Sequence, residues 1–199
     1  AAVDYAGIVD EALDRLRAEG RYRTFAEIER IPGTAGATLR AADGTSRRVV
    51  VWCSNDYLGM AAHRDVTAAI AAAAGYGAGS GGTRNISGTT SMHVALEREL
   101  ASWHRKEAAL LFSSGWVANY TALGVLGSVL PECVVYSDAA NHNSMIEGIR
   151  RSGATVRVFR HNDAEHLAQL LRDEDPSRAR VVAFESVYSM DGDIAPIAE

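Results

Sequence analysis

Between residues 108 and 189, short apolar segments alternate with amphipathic segments of helical length. The apolar segments are AALLFSS (108–114), CVVYSD (133–138), TVRVFRH (155–161) and RVVAFESVYS (180–189). Unbroken apolar character indicates strands that are buried on both faces, and a helix between consecutive strands indicates parallel pairing. We therefore predict an α/β fold with a mostly parallel sheet.

The other helices are predicted from the composition and helical spacing of their residues. A further strand and a turn are predicted between the first two helices. The first helix covers residues 3–18 and ends at Gly20, because glycine commonly follows the last turn of a helix. Further on, RRVVVWCSNDYLGM predicts a strand that runs into a polar loop, and ADGT predicts a turn. The other predicted helices cover 61–74, 92–103, 116–126, 144–153 and 164–174.

The composition is that of an ordinary globular protein, with 47% hydrophobic residues and a net charge of -5 over 199 residues. Scattered basic residues argue against a nucleic-acid surface. The first residues contain acids and no continuous apolar run, which argues against a signal peptide or membrane span, so we expect a cytoplasmic protein. Cys53 and Cys133 lie in apolar runs and are predicted to be buried thiols, and no cysteine or histidine spacing indicates a metal site.

The glycine-rich segment GAGSGGTRNISGTT (77–90) is a candidate binding loop. It follows a predicted helix rather than a strand, so it is not a dinucleotide-binding fingerprint. Hydrogen-bonding residues such as Thr83, Arg84 and Asn85 distinguish it from a flexible linker. A backbone that approaches a ligand or a neighbouring subunit explains the glycines best, and an ordinary turn remains the alternative.

Two loops follow the carboxyl ends of predicted strands, where ligands bind in parallel sheets. In LLFSSGWVAN (110–119), a helix begins after Ser114, and its free N–H groups would suit a phosphate. The alternative is an ordinary helix cap by Ser114. In SDAANHNSM (137–145), His142 is either a solvated loop residue or a participant in chemistry.

Two further stretches carry charged candidates. Glu185 and Ser189 lie in FESVYSMDGD (184–193), at the end of the last predicted strand. A carboxylate on an apolar strand is costly unless it is paired, although a partly exposed strand end would also accommodate it. Arg21 and Arg23 lie in GRYRTF, and arginine binds carboxylates through two parallel hydrogen bonds. Two surface arginines are the alternative.

Taken in order, several motifs resemble one family closely. They are NDYLG, GSGGTRNISGTT, HxxLExELAxWHRKEAALLFSSGWVAN, SDAANHNSMIEGIRRSG and VAFESVYSMDGD, and the resemblance runs from about residue 4 to residue 199. The chain resembles the pyridoxal-phosphate-dependent α-oxoamine synthases. This resemblance implies a fold-type-I, aminotransferase-like large domain with pyridoxal 5'-phosphate as cofactor, in a homodimer with sites at the subunit interface.

Within that family, GRYRTF and TRN are most similar to the members that use succinyl-CoA. The implied reaction condenses glycine with succinyl-CoA to 5-aminolevulinate, CoA and CO2, for tetrapyrrole or specialised metabolism. A sister enzyme that uses another acyl-CoA and a non-catalytic α/β binding module are the alternatives. The implied domains are an N-terminal helix and connector over 1–48 and the first part of the cofactor-binding domain over 49–199.

The resemblance also implies roles for individual residues. The turn at Ser114 would hold the cofactor phosphate, His142 would stack over the pyridine ring as the catalytic residue, and Arg23 would bind the succinyl carboxylate. The implied cofactor-binding residues are Ser114, Gly115, Trp116, His142, Glu185 and Ser189. The implied substrate-binding residues are Arg23, Asn55, Thr83, Asn85, Ile86 and Ser137.

Two residues depart from the family pattern, and the lysine that the family uses to bind the cofactor has no suitable match in this sequence. Val156 stands where the family often has a lysine that contacts CoA, and Arg157 is next to it. Trp116 replaces a tyrosine or phenylalanine. The family requires a lysine that forms a Schiff base with the cofactor, and the single lysine, Lys106, precedes a strand and lies at the wrong edge. We therefore expect this lysine, and the aspartate at the pyridine nitrogen, after residue 199, and we expect the chain to be inactive alone.

Overall fold

A computed structural model describes residues 3–199. The chain divides into two compact units, one ending at Gly81 and the other beginning at Gly82. This division lies later in the chain than the predicted domain boundary between residues 48 and 49, which stays a prediction. None of the described helices is both long enough and apolar enough to cross a membrane.

The first unit combines helices with a small antiparallel sheet. Its helices are α1 (Tyr5–Ala18) and α2 (Arg64–Ala73), and its strands are β1 (Glu27–Arg30), β2 (Gly36–Arg40) and β3 (Ser46–Val50). The strand order is β1-β2-β3, with antiparallel pairing throughout. The predicted end of α1 is confirmed, since Glu19 caps the helix and Gly20 follows with a φ of 65°.

The sequence predicted only part of the antiparallel sheet. The predicted turn at ADGT joins β2 to β3, and the Asp43 carboxylate accepts hydrogen bonds from the N–H (2.9 Å) and hydroxyl (2.7 Å) of Thr45. β1 was not predicted, because its EIER sequence is exposed at every position and carries no alternation of apolar and polar residues. Cys53 is exposed, so its predicted burial is wrong, whereas Cys133 is buried.

The second unit contains the parallel sheet. Its strands are β4 (Val134–Asp138), β5 (Thr155–Phe159) and β6 (Arg180–Ala183), in the order β5-β4-β6, with parallel pairing on both sides of β4. Its helices are α3 (Ser91–Trp103), α4 (Gly115–Val129), α5 (Asn143–Ser152) and α6 (Ala164–Arg172). The predicted parallel pairing of these three strands is confirmed, and the central strand β4 is buried along its whole length.

The predicted strand at residues 108–114 is wrong. This segment is neither helix nor strand, it pairs with no strand among residues 3–199, and Leu110 is 68% exposed. Side chains satisfy its backbone instead. The N–H of Leu111 donates to Glu97 (2.7 Å), and its C=O accepts from Arg84 (3.0 Å). Apolar character predicted a strand here, but a strand also needs a neighbouring strand to pair with, and the local sequence does not determine that.

Helices α4 and α5 pack unusually closely because Gly148 has no side chain. A Cβ atom at Gly148 would lie 2.8 Å from the backbone oxygen of Tyr120 and 2.9 Å from its Cα atom. Real Cβ atoms do not approach backbone this closely, so only glycine fits here without displacing a helix. The close packing holds the two helices side by side, and both begin near the carboxyl end of β4.

Candidate active site

The first component of the site is the start of α4. Ser114 is the N-cap residue, and its hydroxyl accepts a hydrogen bond from the N–H of Val117 (3.2 Å). Within residues 3–199, no acceptor is recorded for the N–H groups of Gly115 and Trp116. The cap interpretation of Ser114 therefore holds, and it leaves two N–H groups at a positive helix end, where an anion binds well. Trp116 is stacked on Tyr120 with ring centroids 5.2 Å apart.

The second component is His142, which caps α5. Its Nδ1 atom accepts the N–H of Ser144 (3.2 Å) and lies 2.7 Å from the Ser144 hydroxyl. Because Nδ1 accepts a backbone N–H, the proton of the neutral ring belongs on Nε2. The Asn119 amide donates to the same hydroxyl (3.1 Å), which links α4 to α5. The ring of His142 is therefore held by one nitrogen, beside the start of α4.

The third component joins His142 to the end of β6. The Glu185 carboxylate accepts the backbone N–H of His142 at 2.6 Å. Asn141 is 5% exposed, and its amide donates to the Ser137 hydroxyl (3.0 Å) and to the C=O of Ala183 (2.7 Å). The Oδ1 atom of Asn141 is buried without a partner among residues 3–199. These contacts bring the polar ends of β4 and β6 together.

Ser137 and Ser189 differ in accessibility. Ser137 is 4% exposed, and its hydroxyl already bonds Asn141 and the C=O of Asp138. Ser189 is exposed, and within residues 3–199 no hydrogen bond is recorded for its hydroxyl. Ser189 is thus free to bind a ligand, while the predicted contact of Ser137 with an acyl-CoA stays a prediction.

The glycine-rich loop forms one π-helical turn, Arg84–Gly88. The Thr83 hydroxyl donates to Oδ1 of Asn85 (2.7 Å), and Ile86 is 83% exposed. A Cβ atom at Gly88 would overlap the backbone of Gly82, so the loop needs glycine there for its own close approach. The predicted substrate contacts of Thr83, Asn85 and Ile86 stay predictions.

Arg84, in the middle of the same loop, points inward to Glu97. Two parallel hydrogen bonds of 2.5 and 3.1 Å join the guanidinium to the carboxylate. The bond from Arg84, helped by the N–H of Leu111, lowers the pKa of Glu97 to about 2. Arg84 therefore ties the glycine-rich loop to α3 and to the segment that leads into Ser114.

The remaining predicted residues are exposed. Arg23 and Asn55 lie in the first unit, and their roles stay predictions. Val156 and Arg157 are consecutive on β5, so their side chains point to opposite faces of the sheet. Arg157 pairs with Glu174 at 3.5 Å.

Sequence reasoning missed the residues that orient the site. Asn119, Asn141 and Ser144 hold His142 and the strand ends, but each was only a polar residue within a quoted motif. Asn141 and Ser144 are buried and Asn119 is exposed. The only signal in the sequence was their place in polar motifs that follow apolar segments, and this does not reveal the hydrogen-bond network that satisfies them. Within residues 3–199, no group of three or more His, Cys, Asp or Glu side chains is arranged to hold a metal ion.

The fold and this site define the class of protein. The family model described as aminotransferase class I and II matches residues 47–199. The chain therefore belongs to the aminotransferase class I and II family, and the predicted aminotransferase-like α/β fold class is confirmed.

The relatives narrow this class further. The chain is 59% identical to 5-aminolevulinate synthase 2 of Cereibacter sphaeroides, over 99% of this chain and 49% of that protein. It is 53% identical to the 5-aminolevulinate synthase of Paracoccus denitrificans, over 98% of this chain and 48% of that protein. The resemblance to the α-oxoamine synthases is confirmed, and the chain spans about half the length of these curated relatives.

Solved structures agree with the family. A serine palmitoyltransferase from S. paucimobilis matches with a TM-score of 0.81 and 31% identity, over 96% of this chain and 48% of that chain. An 8-amino-7-oxononanoate synthase from Francisella tularensis matches with a TM-score of 0.55 and 28% identity, over 73% of this chain and 39% of that chain.

Proposed function

We propose that this chain is the first half of a pyridoxal-phosphate-dependent enzyme that condenses glycine with succinyl-CoA. The products are 5-aminolevulinate, CoA and CO2. Identity of 50–59% to bacterial 5-aminolevulinate synthases, over nearly all of this chain, is the single observation that carries the proposal. The site at the carboxyl edge of the parallel sheet supports it independently.

The residues at that edge fit a phosphorylated pyridine. The N–H groups of Gly115 and Trp116 are available for the phosphate at the start of a 15-residue helix. His142 offers a flat ring whose orientation Ser144 maintains, and the partnerless Oδ1 of Asn141 is a buried acceptor beside it. Pyridoxal phosphate, when bound, supplies an electron sink for the α-carbon of glycine.

The chain's own residues would orient the reactants. Ser114, Gly115 and Trp116 would hold the phosphate, His142 would stack against the ring, and Ser189 would donate a hydrogen bond to the cofactor. Glu185 would keep the backbone of the His142 loop in place. Fixing the geometry in this way removes orientational entropy from the reaction barrier.

The substrate contacts belong to the same proposal. Asn55 would hold the glycine carboxylate, and Arg23, Thr83 and Asn85 would bind the far carboxylate of the succinyl group. Ile86 and Ser137 would contact the acyl-CoA. A cytoplasmic homodimer that binds neither nucleic acid nor membrane completes the proposal.

The test is an assay of the full-length gene product with pyridoxal phosphate, glycine and a panel of acyl-CoA thioesters. We expect 5-aminolevulinate from succinyl-CoA, and no product from residues 1–199 alone, whose only lysine is Lys106. Turnover of an acyl-CoA with a longer acyl chain in preference to succinyl-CoA would instead assign the protein to a sister synthase. The structural similarity to serine palmitoyltransferase keeps this as the second candidate.

A further inference from the structure

The segment 184–195 carries two of the proposed cofactor residues, Glu185 and Ser189. It turns back on itself, because the N–H of Tyr188 donates to the C=O of Asp193 at 2.9 Å. The N–H of Ala195 likewise donates to the C=O of Ser186 at 3.1 Å. These bonds join the two arms of the turn, so its contacts with the rest of the chain help to determine where Ser189 lies.

His161, just after β5, connects this turn to the sheet. Its Nδ1 atom lies 2.8 Å from the Asp138 carboxylate, and its Nε2 atom lies 3.2 Å from the Asp193 carboxylate. The side chain of Asp138 is 1% exposed, while those of His161 and Asp193 are 29% and 52% exposed. The imidazole thus bridges a buried carboxylate of the sheet and an exposed carboxylate of the turn.

The Asp138 carboxylate, at one end of this bridge, is held in a fixed position. It is the last residue of β4, and its carboxylate accepts the N–H groups of Ala140 (2.8 Å) and Asn162 (2.9 Å). Burial alone would raise the pKa of Asp138, but these donors and His161 outweigh it, so the pKa is lowered. The carboxylate is therefore charged and held rigidly by the backbone.

Tyr188 completes the contact between the turn and His161. Its ring meets the imidazole edge-on, with centroids 4.4 Å apart, and it is 2% exposed. Its hydroxyl accepts the N–H of Glu185 at 3.3 Å. The cluster therefore reaches Glu185, which in turn accepts the N–H of His142.

We propose that His161 is a positioning residue of the cofactor site, whose imidazole fixes the 184–195 turn, and with it Glu185 and Ser189, at the edge of the parallel sheet. The inference rests on the proposed cofactor. His161 itself need not touch that cofactor, since it acts through Asp193 and Tyr188.

The protonated ring makes the stronger bridge. A neutral imidazole has one N–H and would face one carboxylate with a lone pair, whereas the charged form donates to both. The groups that face it are Asp138 from β4, Asp193 and Tyr188 from the turn, and the neighbouring Asn162 amide at 3.3 Å. The hydrogen bond to Asp138, and then that to Asp193, raise the pKa of His161. The bridge is complete below that pKa and weakens as the pH rises through it.

The Asn162 amide is compatible with the charged ring. Its Oδ1 atom is buried without a partner among residues 3–199. A half-turn of the amide exchanges oxygen and nitrogen, which are nearly equal in size, and directs Oδ1 towards Nε2 of His161. The charged ring would then have a second acceptor at that nitrogen.

The experiment measures cofactor binding by the full-length apo protein, using equilibrium dialysis with pyridoxal phosphate at several pH values. His161→Asn keeps a donor near Asp138 but cannot reach Asp193. We expect its dissociation constant to rise about tenfold, as for a lost hydrogen bond to a charged group. Asp193→Asn, at an exposed position, should give the same direction of change without endangering the fold.

The pH dependence separates positioning from general stability. For the wild type, the dissociation constant should rise as the pH passes the pKa of His161, measured by NMR of its imidazole. In both variants this component should be lost. His104→Asn, the same substitution at an exposed histidine at the end of α3, should leave both affinity and pH profile unchanged.

An unchanged dissociation constant and pH profile in His161→Asn and Asp193→Asn would overturn the proposal. So would equal losses of melting temperature in apo and cofactor-loaded protein without a change in affinity. Because these readouts do not depend on the acyl-CoA, a wild type that binds pyridoxal phosphate but makes no 5-aminolevulinate would refute the proposed reaction and leave this inference standing.

Discussion

Arg84 illustrates what a single residue does in this chain. It lies between two residues proposed to bind substrate, yet its guanidinium bonds Glu97 and the C=O of Leu111. The sequence predicted that this loop would bring hydrogen-bonding groups to a ligand. It could not predict that the central residue would turn inward, because Glu97 and Leu111 are 13 and 27 positions away.

Acid titration tests the Arg84–Glu97 pair. The folded-state pKa of Glu97, about 2, lies below its ordinary value of 4.5. The pair therefore contributes stability above pH 4.5, and this contribution is lost as the pH falls towards 2. We expect Glu97→Gln to melt a few degrees lower at pH 7, and the two melting curves to converge near pH 2.

Glu99→Gln, on the exposed face of the same helix, is the matched control and should track the wild type at every pH. Parallel acid dependence in Glu97→Gln and the wild type, followed by calorimetry, would show that the ion pair does not stabilise the fold.

At the level of the elements, the close packing of α4 on α5 positions the site. Gly148 lets the helices approach, and the hydrogen bond from Asn119 to Ser144 joins them near their N-terminal ends. This contact places the phosphate-binding candidate Ser114 and the ring-stacking candidate His142 on neighbouring helix starts. Helical periodicity predicted both helices, whereas their separation depends on a close approach that no local pattern encodes.

Gly148→Ala tests that packing. The added Cβ would meet the backbone of Tyr120, so the helices must move apart, and we expect a loss of about 1–3 kcal/mol in unfolding free energy. Urea denaturation of the full-length protein measures it. Gly115→Ala adds a Cβ that meets nothing within 4 Å, so it should leave the unfolding free energy unchanged or raise it slightly. Equal stabilities of the two variants would contradict the close-packing argument.

On the scale of the whole molecule, the proposed acyl-binding residues come from both units. Arg23 belongs to the unit that ends at Gly81, and Thr83 and Asn85 belong to the unit that begins at Gly82. Each of these assignments belongs to the proposed function and is tested one residue at a time.

Arg23→Ala should impair use of succinyl-CoA specifically. Loss of a hydrogen-bonded charge pair predicts a rise of about 10- to 100-fold in KM for succinyl-CoA, with a much smaller change in KM for glycine. Steady-state kinetics of the full-length protein measure both. Arg21→Ala is the matched control, because Arg21 pairs with Glu19 on the surface at 2.8 Å. If both variants retain wild-type KM for succinyl-CoA, Arg23 is not part of the acyl site.

The sequence by itself determined the elements whose causes are local. Apolar runs separated by helices predicted β4, β5 and β6 and their parallel pairing. The end of α1 at Gly20 followed from helix-capping preferences. Tertiary structure alone decided that residues 108–114 form no strand, that Arg84 pairs with Glu97, and that His161 bridges Asp138 and Asp193. The physical reason is range: periodicity and capping act over a few residues, whereas an ion pair depends on where distant segments meet in the folded chain.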